Sequence, residues 1–299
     1  MTRRLLPLLF ASAFAVGAER PPNLVLIVGD DVGYGDLACY GSKINPTPHI
    51  DTLAKGGLRF TDFHTGGAMC SPTRASMLTG CYPQRFGADF DGALGKQDDR
   101  EVGLPLGAVT IAELLKERGY ATACFGKWHL GYTAPMIPTR QGFTTFRGML
   151  SGDGDHHTHI DRSGNEDWYA DEALDMEEGY TADLLTGYSL DFIGKHRESP
   201  FFLYLPFAVP HLSIQAPEDE VAEYTADLPE TDYVHKGYLP HPKPHAGYAA
   251  MVTHMDRGVG EILALLAELG LDEKTAVFFT SDNGPTYDRL GGSDSDFFE

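Results

Sequence analysis

The sequence is poor in basic residues and in long apolar runs, and each shortage narrows the possible functions. Its 299 residues carry 23 Lys and Arg against 43 Asp and Glu, a formal net charge of -20. Nucleic-acid binders usually present a basic face, so we expect no nucleic-acid partner. After the N-terminal segment, no apolar run approaches the roughly 18 residues that a membrane-spanning helix needs. We therefore expect no membrane attachment once that segment is removed.

Cysteine is also scarce. The sequence holds four cysteines, and no two of them are spaced as a CxxC pair: Cys39, Cys70, Cys81 and Cys124. A zinc knuckle therefore has no support. Four cysteines are too few for a disulfide framework in a chain of this size. In an oxidising compartment, one disulfide is still the ordinary expectation for any of them.

The first 18 residues have the pattern of a secretory signal peptide. Arg3 and Arg4 supply a positive start, an apolar stretch runs over 5–16, and small residues end the segment at Gly17 and Ala18. We predict a signal peptide over 1–18, export to the periplasm or the exterior, and one catalytic domain over 19–299. A buried N-terminal strand is the alternative.

Short apolar runs alternate with helical patterns along the rest of the chain. Strands are predicted at 23–28, 58–63, 120–125, 200–205 and 275–280, and helices at 48–55, 70–79, 111–118, 181–197 and 245–269. Two segments, 131–178 and 213–244, are expected to be surface loops. The alternation predicts an α/β fold with a mostly parallel sheet sandwiched by helices. Such sheets bind ligands at the carboxyl ends of their strands, where the polar clusters of this sequence lie.

Two acidic motifs each follow a predicted strand. They are Asp30-Asp31 and Asp282-Asn283, the second followed by Gly284. Adjacent carboxylates repel one another unless a cation or a hydrogen-bond donor compensates them. Four oxygen-bearing side chains without Cys or His suit a hard cation, calcium before magnesium. A solvated loop is the alternative for either motif alone.

Basic residues and a helix start add a possible anion site. Arg74 lies one turn beyond Cys70 in MCSPTRASMLTG, Lys127 and His129 lie two apart in FGKWHLG, and His211 follows a strand. Guanidinium, ammonium and the free N–H groups of a helix start all favour an oxyanion. From the residues alone, this predicts hydrolysis of a phosphate or sulfate ester. Cys70 remains a core residue, half of a disulfide or a nucleophile, and a core histidine is the alternative for His129.

The histidine-rich segment 153–159, DGDHHTH, could be mistaken for a zinc site. Its glycines and acids, in a region without periodicity, are more typical of a solvated loop. We therefore expect no metal there.

Taken together, the motifs resemble the type I sulfatases. Residues 70–74, CSPTR, followed by LTG at 78–80, resemble the signature C-x-[PA]-[ST]-R. Four further motifs match in order and spacing: Asp30-Asp31, GKWHLG at 126–131, Pro210-His211 and Asp282-Asn283-Gly284. The resemblance runs from about residue 22 to the end of the chain. It is strongest to the arylsulfatase and N-acetylgalactosamine-6-sulfatase branch, and it implies the alkaline-phosphatase-like fold.

The resemblance also implies a role for each site residue. A maturation enzyme would convert Cys70 into Cα-formylglycine, whose hydrate would attack the sulfur of a sulfated carbohydrate or an aryl sulfate. Calcium would be bound by the modified Cys70 together with Asp30, Asp31, Asp282 and Asn283. Arg74 would stabilise the hydrate, and His129 would help to deprotonate it when sulfate leaves. Lys127 and His211 would hold sulfate, with His211 a candidate proton donor to the leaving alcohol.

Two alternatives accompany this prediction. One is a phosphoester or phosphonate hydrolase on the same fold, and the other is an inactive sulfatase-like binding protein.

The family pattern continues beyond Gly284 with a further lysine and a smaller C-terminal domain. This chain ends at Glu299 before either would occur. We therefore expect the catalytic domain to be incomplete and that smaller domain to be lacking.

Overall fold

The computed structural model describes residues 20–95, 101–224, 228, 230–234 and 237–285. The predicted signal peptide, 1–18, lies outside the described residues. The strands are β1 (Asn23–Gly29), β2 (Ala121–Phe125), β3 (Thr145–Gly148), β4 (Tyr169–Ala170), β5 (Ala173–Leu174), β6 (Phe201–Pro206) and β7 (Thr275–Ser281). The α-helices are α1 (Pro48–Gly56), α2 (Cys70–Thr79), α3 (Ile111–Glu117), α4 (Thr181–Lys195), α5 (Glu218–Tyr224) and α6 (Pro244–Glu268). None of these helices is long and apolar enough to cross a membrane.

The seven strands form one mixed sheet in the order β5-β4-β3-β2-β6-β1-β7. Strands β3, β2, β6, β1 and β7 run parallel to one another, whereas β4 and β5 add an antiparallel edge. Consecutive strands in the centre of the sheet are far apart in sequence, as parallel pairing with helical crossovers requires. The predicted α/β fold with a mostly parallel sheet is confirmed.

Alternating side chains of the sheet pack into two hydrophobic cores, one on each face. On β1, Val25 and Ile27 pack into the core shared with α4 and α6. Val28 points to the other face, where its core includes Ala75 and Leu78 of α2. The period-two alternation of a strand therefore buries β1 on both faces. This sandwich fixes the carboxyl end of β1, and with it the position of the residues that follow.

The helix boundaries follow local sequence signals. Thr110 caps α3, because its hydroxyl accepts from the N–H of Glu113, whose carboxylate accepts from the Thr110 N–H. Helix α2 ends where predicted, at Gly80, which adopts a left-handed conformation with φ of 67° and donates its N–H to Ser76.

Three predictions about the segments between these elements are wrong. Residues 58–63 form no strand and are all exposed, although the rings of Phe60 and Phe63 pack in a T-shaped arrangement. The segment 131–178 is not only surface loop, since it contributes β3, β4 and β5 to the sheet. The segment 213–244 contains the short helix α5.

The histidine-rich segment also differs from the prediction. His156 and His159 are each 1% exposed, so this part of the chain is not a solvated loop. His159 stacks on Trp168 with ring centroids 4.2 Å apart, and Nε2 of His156 hydrogen-bonds to the carbonyl of His211. The segment is therefore part of the packing that supports His211. All four cysteines are free, so no disulfide forms.

Candidate active site

The carboxyl ends of four parallel strands bring the predicted site residues to one edge of the sheet. Asp30 follows β1, Lys127 follows β2, His211 lies in the loop after β6, and Asp282 follows β7. The start of α2 supplies Cys70 from a different layer. Parallel strands end at the same edge of a sheet, and this geometry assembles residues that are up to 252 positions apart.

Arg74 lies at the centre of the cluster and is fully buried. Its Nε and Nη2 atoms donate to the same carboxylate oxygen of Asp282 at 3.0 and 2.8 Å, and Nη2 also lies 3.2 Å from Asp30. Its Nη1 donates to the carbonyl of Lys127 at 2.8 Å. One guanidinium therefore ties α2 to the ends of β1, β2 and β7.

Lys127 is the second buried cation. Its ammonium nitrogen lies 2.5 Å from Oδ2 of Asp30 and 3.4 Å from Sγ of Cys70. The Cys70 sulfur is also 3.6 Å from Oδ1 of Asp30. Cys70 is 7% exposed. Its side chain thus faces a cation and a carboxylate, which is the environment of a reactive group more than of a core residue.

Burial and charge set the protonation of these groups. Burial alone would raise the pKa of Asp30, but the charges of Lys127, His211 and Arg74 hold it below its usual value. Burial would lower the pKa of the Lys127 ammonium, and the Asp30 carboxylate raises it instead. Burial raises the pKa of the Cys70 thiol well above its usual value. Asp30 and Lys127 are therefore an ion pair, and the unmodified thiol is protonated.

A second group of residues lies at the outer side of the cluster. Asn283 donates its amide to the carboxylate of Asp31, which adopts a left-handed backbone with φ of 64°. The other carboxylate oxygen of Asp31 lies 3.7 Å from Nε2 of His211. His211 donates Nδ1–H to the Leu212 carbonyl, which leaves Nε2 facing the cluster.

The donor set fits a hard cation. One ligand atom from each of Asp30, Cys70 and Asp282 lies within 4.8 Å of the others. The side-chain oxygen of Asn283 is buried and has no hydrogen-bond partner among the described residues, so it is available as a further ligand. Burial and the neighbouring Asp30 raise the pKa of Asp282, against the charges of Arg74 and Lys127. Carboxylate and amide oxygens are the ligands that calcium prefers.

His129 is buried beside this cluster as a neutral imidazole. Its Nε2 donates to the carbonyl of Leu94 at 3.1 Å, and its Nδ1 has no partner among the described residues. Burial, followed by the charge of Lys127, holds its pKa well below the usual value. Gly152 lies so close to the ring that an added Cβ would collide with it. The lone pair on Nδ1 is thus available as a base.

Several supporting residues were not predicted from the sequence. The Tyr248 hydroxyl donates to the Asp36 carboxylate at 2.7 Å and also lies 3.1 Å from the backbone carbonyl oxygen of Asp31. Asp36 also accepts from the N–H of Gly33. These contacts fix the turn that carries Asp31. The sequence contains a weak local indication of the Asp36 contact, because Asp36 is an acidic residue three positions after Gly33. It contains no indication of the Tyr248 contact, because Tyr248 lies far away in the sequence, in α6.

The chain matches known proteins over nearly its whole length. The family profile "Sulfatase" covers residues 22–296. Arylsulfatase A of Homo sapiens is 35% identical, with 95% of this chain and 56% of the relative covered. N-acetylgalactosamine-6-sulfatase of Rattus norvegicus is 34% identical, with 98% and 56% covered. The chain therefore spans about half the length of these relatives.

Solved structures match the fold as well. Ps i-CgsB in complex with k-i-k-neocarrahexaose superposes with a TM-score of 0.80 and 30% identity, covering 93% of this chain and 61% of that one. The phosphonate monoester hydrolase of Agrobacterium radiobacter, at 20% identity and a TM-score of 0.57 over 92% of this chain and 66% of its own, shares the fold alone. The predicted alkaline-phosphatase-like fold is confirmed. On its sequence match and its fold, the chain belongs to the sulfatase family.

Proposed function

We propose that the protein is an exported, calcium-dependent sulfatase that hydrolyses sulfate esters through a formylglycine derived from Cys70. The observation that carries the proposal is the position of the Cys70 side chain, which lies 3.4 Å from the Lys127 ammonium and 3.6 Å from Asp30. The fully buried Arg74 lies beside them. Two buried cations and three carboxylates around one sulfur suit a tetrahedral oxyanion and a hard cation better than they suit a packed core.

The chemistry of the ester favours conversion of the thiol. A thiol that attacked a sulfate ester would remain linked to sulfate, with no easy exit. A hydrated aldehyde at this position offers one hydroxyl to attack sulfur and a second to expel sulfate, which divides one displacement into two steps. The conversion needs a separate maturation enzyme and an external oxidant. The signature residues 70–74 are the segment that such an enzyme would recognise.

The surrounding residues bind the sulfate group and transfer protons during the reaction. Lys127 holds a sulfate oxygen, because its ammonium already lies next to the reacting position. His211 directs Nε2 toward the cluster and, as an imidazolium protonated on both ring nitrogens, donates the Nε2 proton to the leaving alcohol. Arg74 keeps the hydroxyl at position 70 in place, and His129 accepts its proton at Nδ1 when sulfate leaves.

The cation fits the acidic side of the site. Asp30, Asp31, Asp282 and Asn283 would hold calcium, with the modified residue 70 as a further ligand. The ion would supply a fixed positive charge that polarises the sulfate ester. The unpartnered oxygen of Asn283 supports this assignment.

The substrate is proposed to be a sulfated glycan. Relatives at 31–34% identity are named N-acetylgalactosamine-6-sulfatase, and the matched Ps i-CgsB structure holds k-i-k-neocarrahexaose. The signal-peptide pattern over 1–18 supports export to a compartment where extracellular glycans are met.

A comparison of an aryl sulfate with the matching aryl phosphate tests the proposal. The protein, produced with a maturation enzyme, should hydrolyse the sulfate faster. Mass spectrometry of the peptide that contains Cys70 should show an aldehyde in place of the thiol. Cys70→Ala should abolish hydrolysis, whereas Cys81→Ala, a partly buried cysteine just beyond α2, should leave it unchanged.

Each alternative predicts a different outcome. Faster hydrolysis of the phosphate would identify a phosphoester hydrolase on the same fold. A correctly converted residue 70, together with binding of a sulfated glycan that is not hydrolysed, would identify a binding protein. A free thiol or a disulfide at Cys70 in the presence of the maturation enzyme would remove the formylglycine mechanism.

A further inference from the structure

A cleft of about 460 Å³ opens next to the candidate active site. Residues from 153–164 line one side, and residues 212–213 and 237–239 line the other. Asp153, Asp155, Asp161 and Arg162 belong to the first side, and Tyr238 belongs to the second. None of these residues has a role in the hydrolysis proposed above.

The cleft and the active site share His211 as a boundary. Leu212 and Ser213, which line the cleft, directly follow His211 in the chain. The rings of His211 and Tyr238 meet at 75°, with centroids 6.0 Å apart. Nε2 of His211 lies 3.7 Å from Asp31 of the active site. In a glycan whose sulfate group lies in the active site, the sulfated sugar would therefore lie beside His211. The sugar linked to it would enter the cleft.

The cleft presents an aromatic ring and a fixed hydrogen-bonding fork. The Arg162 guanidinium lies over the Tyr238 ring, with Cζ 4.9 Å from the centroid. Nε of Arg162 is 3.0 Å from the Asp153 carboxylate, and the Arg162 side chain is 40% exposed. The stacking and the ion pair hold the guanidinium in one orientation while some of its donors still face solvent. This arrangement suits a molecule that both donates and accepts hydrogen bonds, as the hydroxyl groups of a sugar do.

The charge of the cleft argues against a second anionic group. The described lining residues include three carboxylates, Asp153, Asp155 and Asp161, against the single guanidinium of Arg162. Asp155 stays ionised despite its partial burial, because N–H groups of Thr158 and His157 and the Gln215 amide lower its pKa to about 2. The net negative charge of the lining would repel a sulfate or carboxylate on the second unit.

From these contacts we infer that the cleft is a subsite for the sugar next to the sulfated one, and that it takes a neutral, hydroxyl-bearing sugar in preference to a uronic acid or a second sulfated sugar. The inference rests on the proposed function, and it names the substrate more narrowly. Arg162 and Asp153 are specificity residues in it, and neither touches the reacting atoms.

The test uses three kinds of substrate with one protein. The first is 4-nitrophenyl sulfate, which is too small to fill the cleft. The second is a panel of monosulfated disaccharides whose second sugar is neutral, and the third is the same panel with a uronic acid as the second sugar. We expect the best neutral disaccharide to have a higher kcat/KM than its uronic counterpart.

Two variants and one control sharpen the test. Arg162→Ala should lower kcat/KM for the neutral disaccharide about tenfold relative to 4-nitrophenyl sulfate, because it removes hydrogen bonds to a charged donor. Asp153→Asn should narrow the preference for the neutral over the uronic disaccharide. Arg140→Ala is the matched control, since Arg140 is also a half-exposed arginine in an ion pair, with Glu172, but lies outside the cleft. It should leave all ratios unchanged.

The failures of the two proposals look different. Absence of hydrolysis of every substrate, with residue 70 converted, would refute the proposed function. Hydrolysis of 4-nitrophenyl sulfate but of no disaccharide, a preference for the uronic panel, or an Arg162→Ala ratio equal to that of Arg140→Ala would each overturn the subsite and leave the sulfatase function standing.

Discussion

Replacement of Arg74 by Met tests whether the buried ion network holds the site together. Met keeps much of the side-chain volume but removes every donor. In the wild type the Arg74 guanidinium makes three hydrogen bonds to the carboxylates of Asp282 and Asp30 and one to the carbonyl of Lys127. In the variant, the Asp282 carboxylate keeps the hydrogen bond that it accepts from the backbone N–H of Asp31 at 3.2 Å.

The expected cost follows from the burial of both partners. The side chains of Arg74, Asp30 and Asp282 are all 0% exposed, so water does not replace the lost donors. Removal of one member of a buried ion pair costs about 3–5 kcal/mol, because a charge is left uncompensated. For a domain of this size, such a loss lowers Tm by roughly 10 °C.

Urea unfolding in the presence of a chelator measures the effect without a contribution from bound cations. Arg140→Met is the control, because Arg140 and Glu172 are 55% and 46% exposed and their pair should contribute at most ~1 kcal/mol. Added calcium should stabilise the Arg74 variant more than the wild type, since its carboxylates have lost one compensating charge. Equal free energies of unfolding for the two variants would show that water enters the cluster, and the reasoning would be refuted.

Three further predictions concern the neighbours of the site. Gly152→Ala should push the His129 ring aside and lower kcat for 4-nitrophenyl sulfate tenfold or more, whereas Gly187→Ala, whose Cβ meets open space in α4, should not. Burial raises the pKa of Asp167 to about 7, so the folded state holds its proton more tightly than the unfolded state does. The free energy of unfolding should therefore fall by up to ~1.4 kcal/mol per unit between about pH 4 and 7, and Asp167→Asn should flatten this slope in urea titrations at several pH values. Chelation should lower Tm in a thermal melt, and calcium should restore it better than magnesium, which demands a stricter octahedral site; equal recovery with both ions would contradict a calcium site.

The fold could be predicted from the sequence where local pattern and tertiary packing agree. The apolar run of β1 is buried on both faces, and the caps of α2 and α3 depend on residues only a few positions away. The segment 58–63 has an equally regular alternation, but it pairs with no strand of the described sheet. Both edges of β1 are occupied by strands that come much later in the chain, β6 and β7. A segment forms a strand only when a neighbouring strand is available for hydrogen bonding. A period-two pattern in the sequence does not indicate whether such a neighbour exists.

The candidate site was predictable in its residues but not in its contacts. The motifs indicated Asp30, Arg74, Lys127 and Asp282, and the structure brings all four together. The pattern did not show that Arg74 spans two carboxylates and a carbonyl, since these partners come from three different strands. His156 and His159 were expected in solvent for the same reason. Their partners, His211 and Trp168, are adjacent only in the folded chain.

The burial of residues 70–74 sets a limit on when another protein could reach them. Every one of these five residues is buried in the completed fold, and Asp282, which closes over Arg74, is made more than 200 residues later in synthesis. While the ribosome is still producing the region between α2 and β7, the signature lacks its last neighbour. The proposed conversion of Cys70 by a maturation enzyme would therefore have to occur before β7 pairs with β1. A chain that folds before it is modified would keep the Cys70 thiol. The yield of active protein would then depend on the rate of folding relative to the rate of modification.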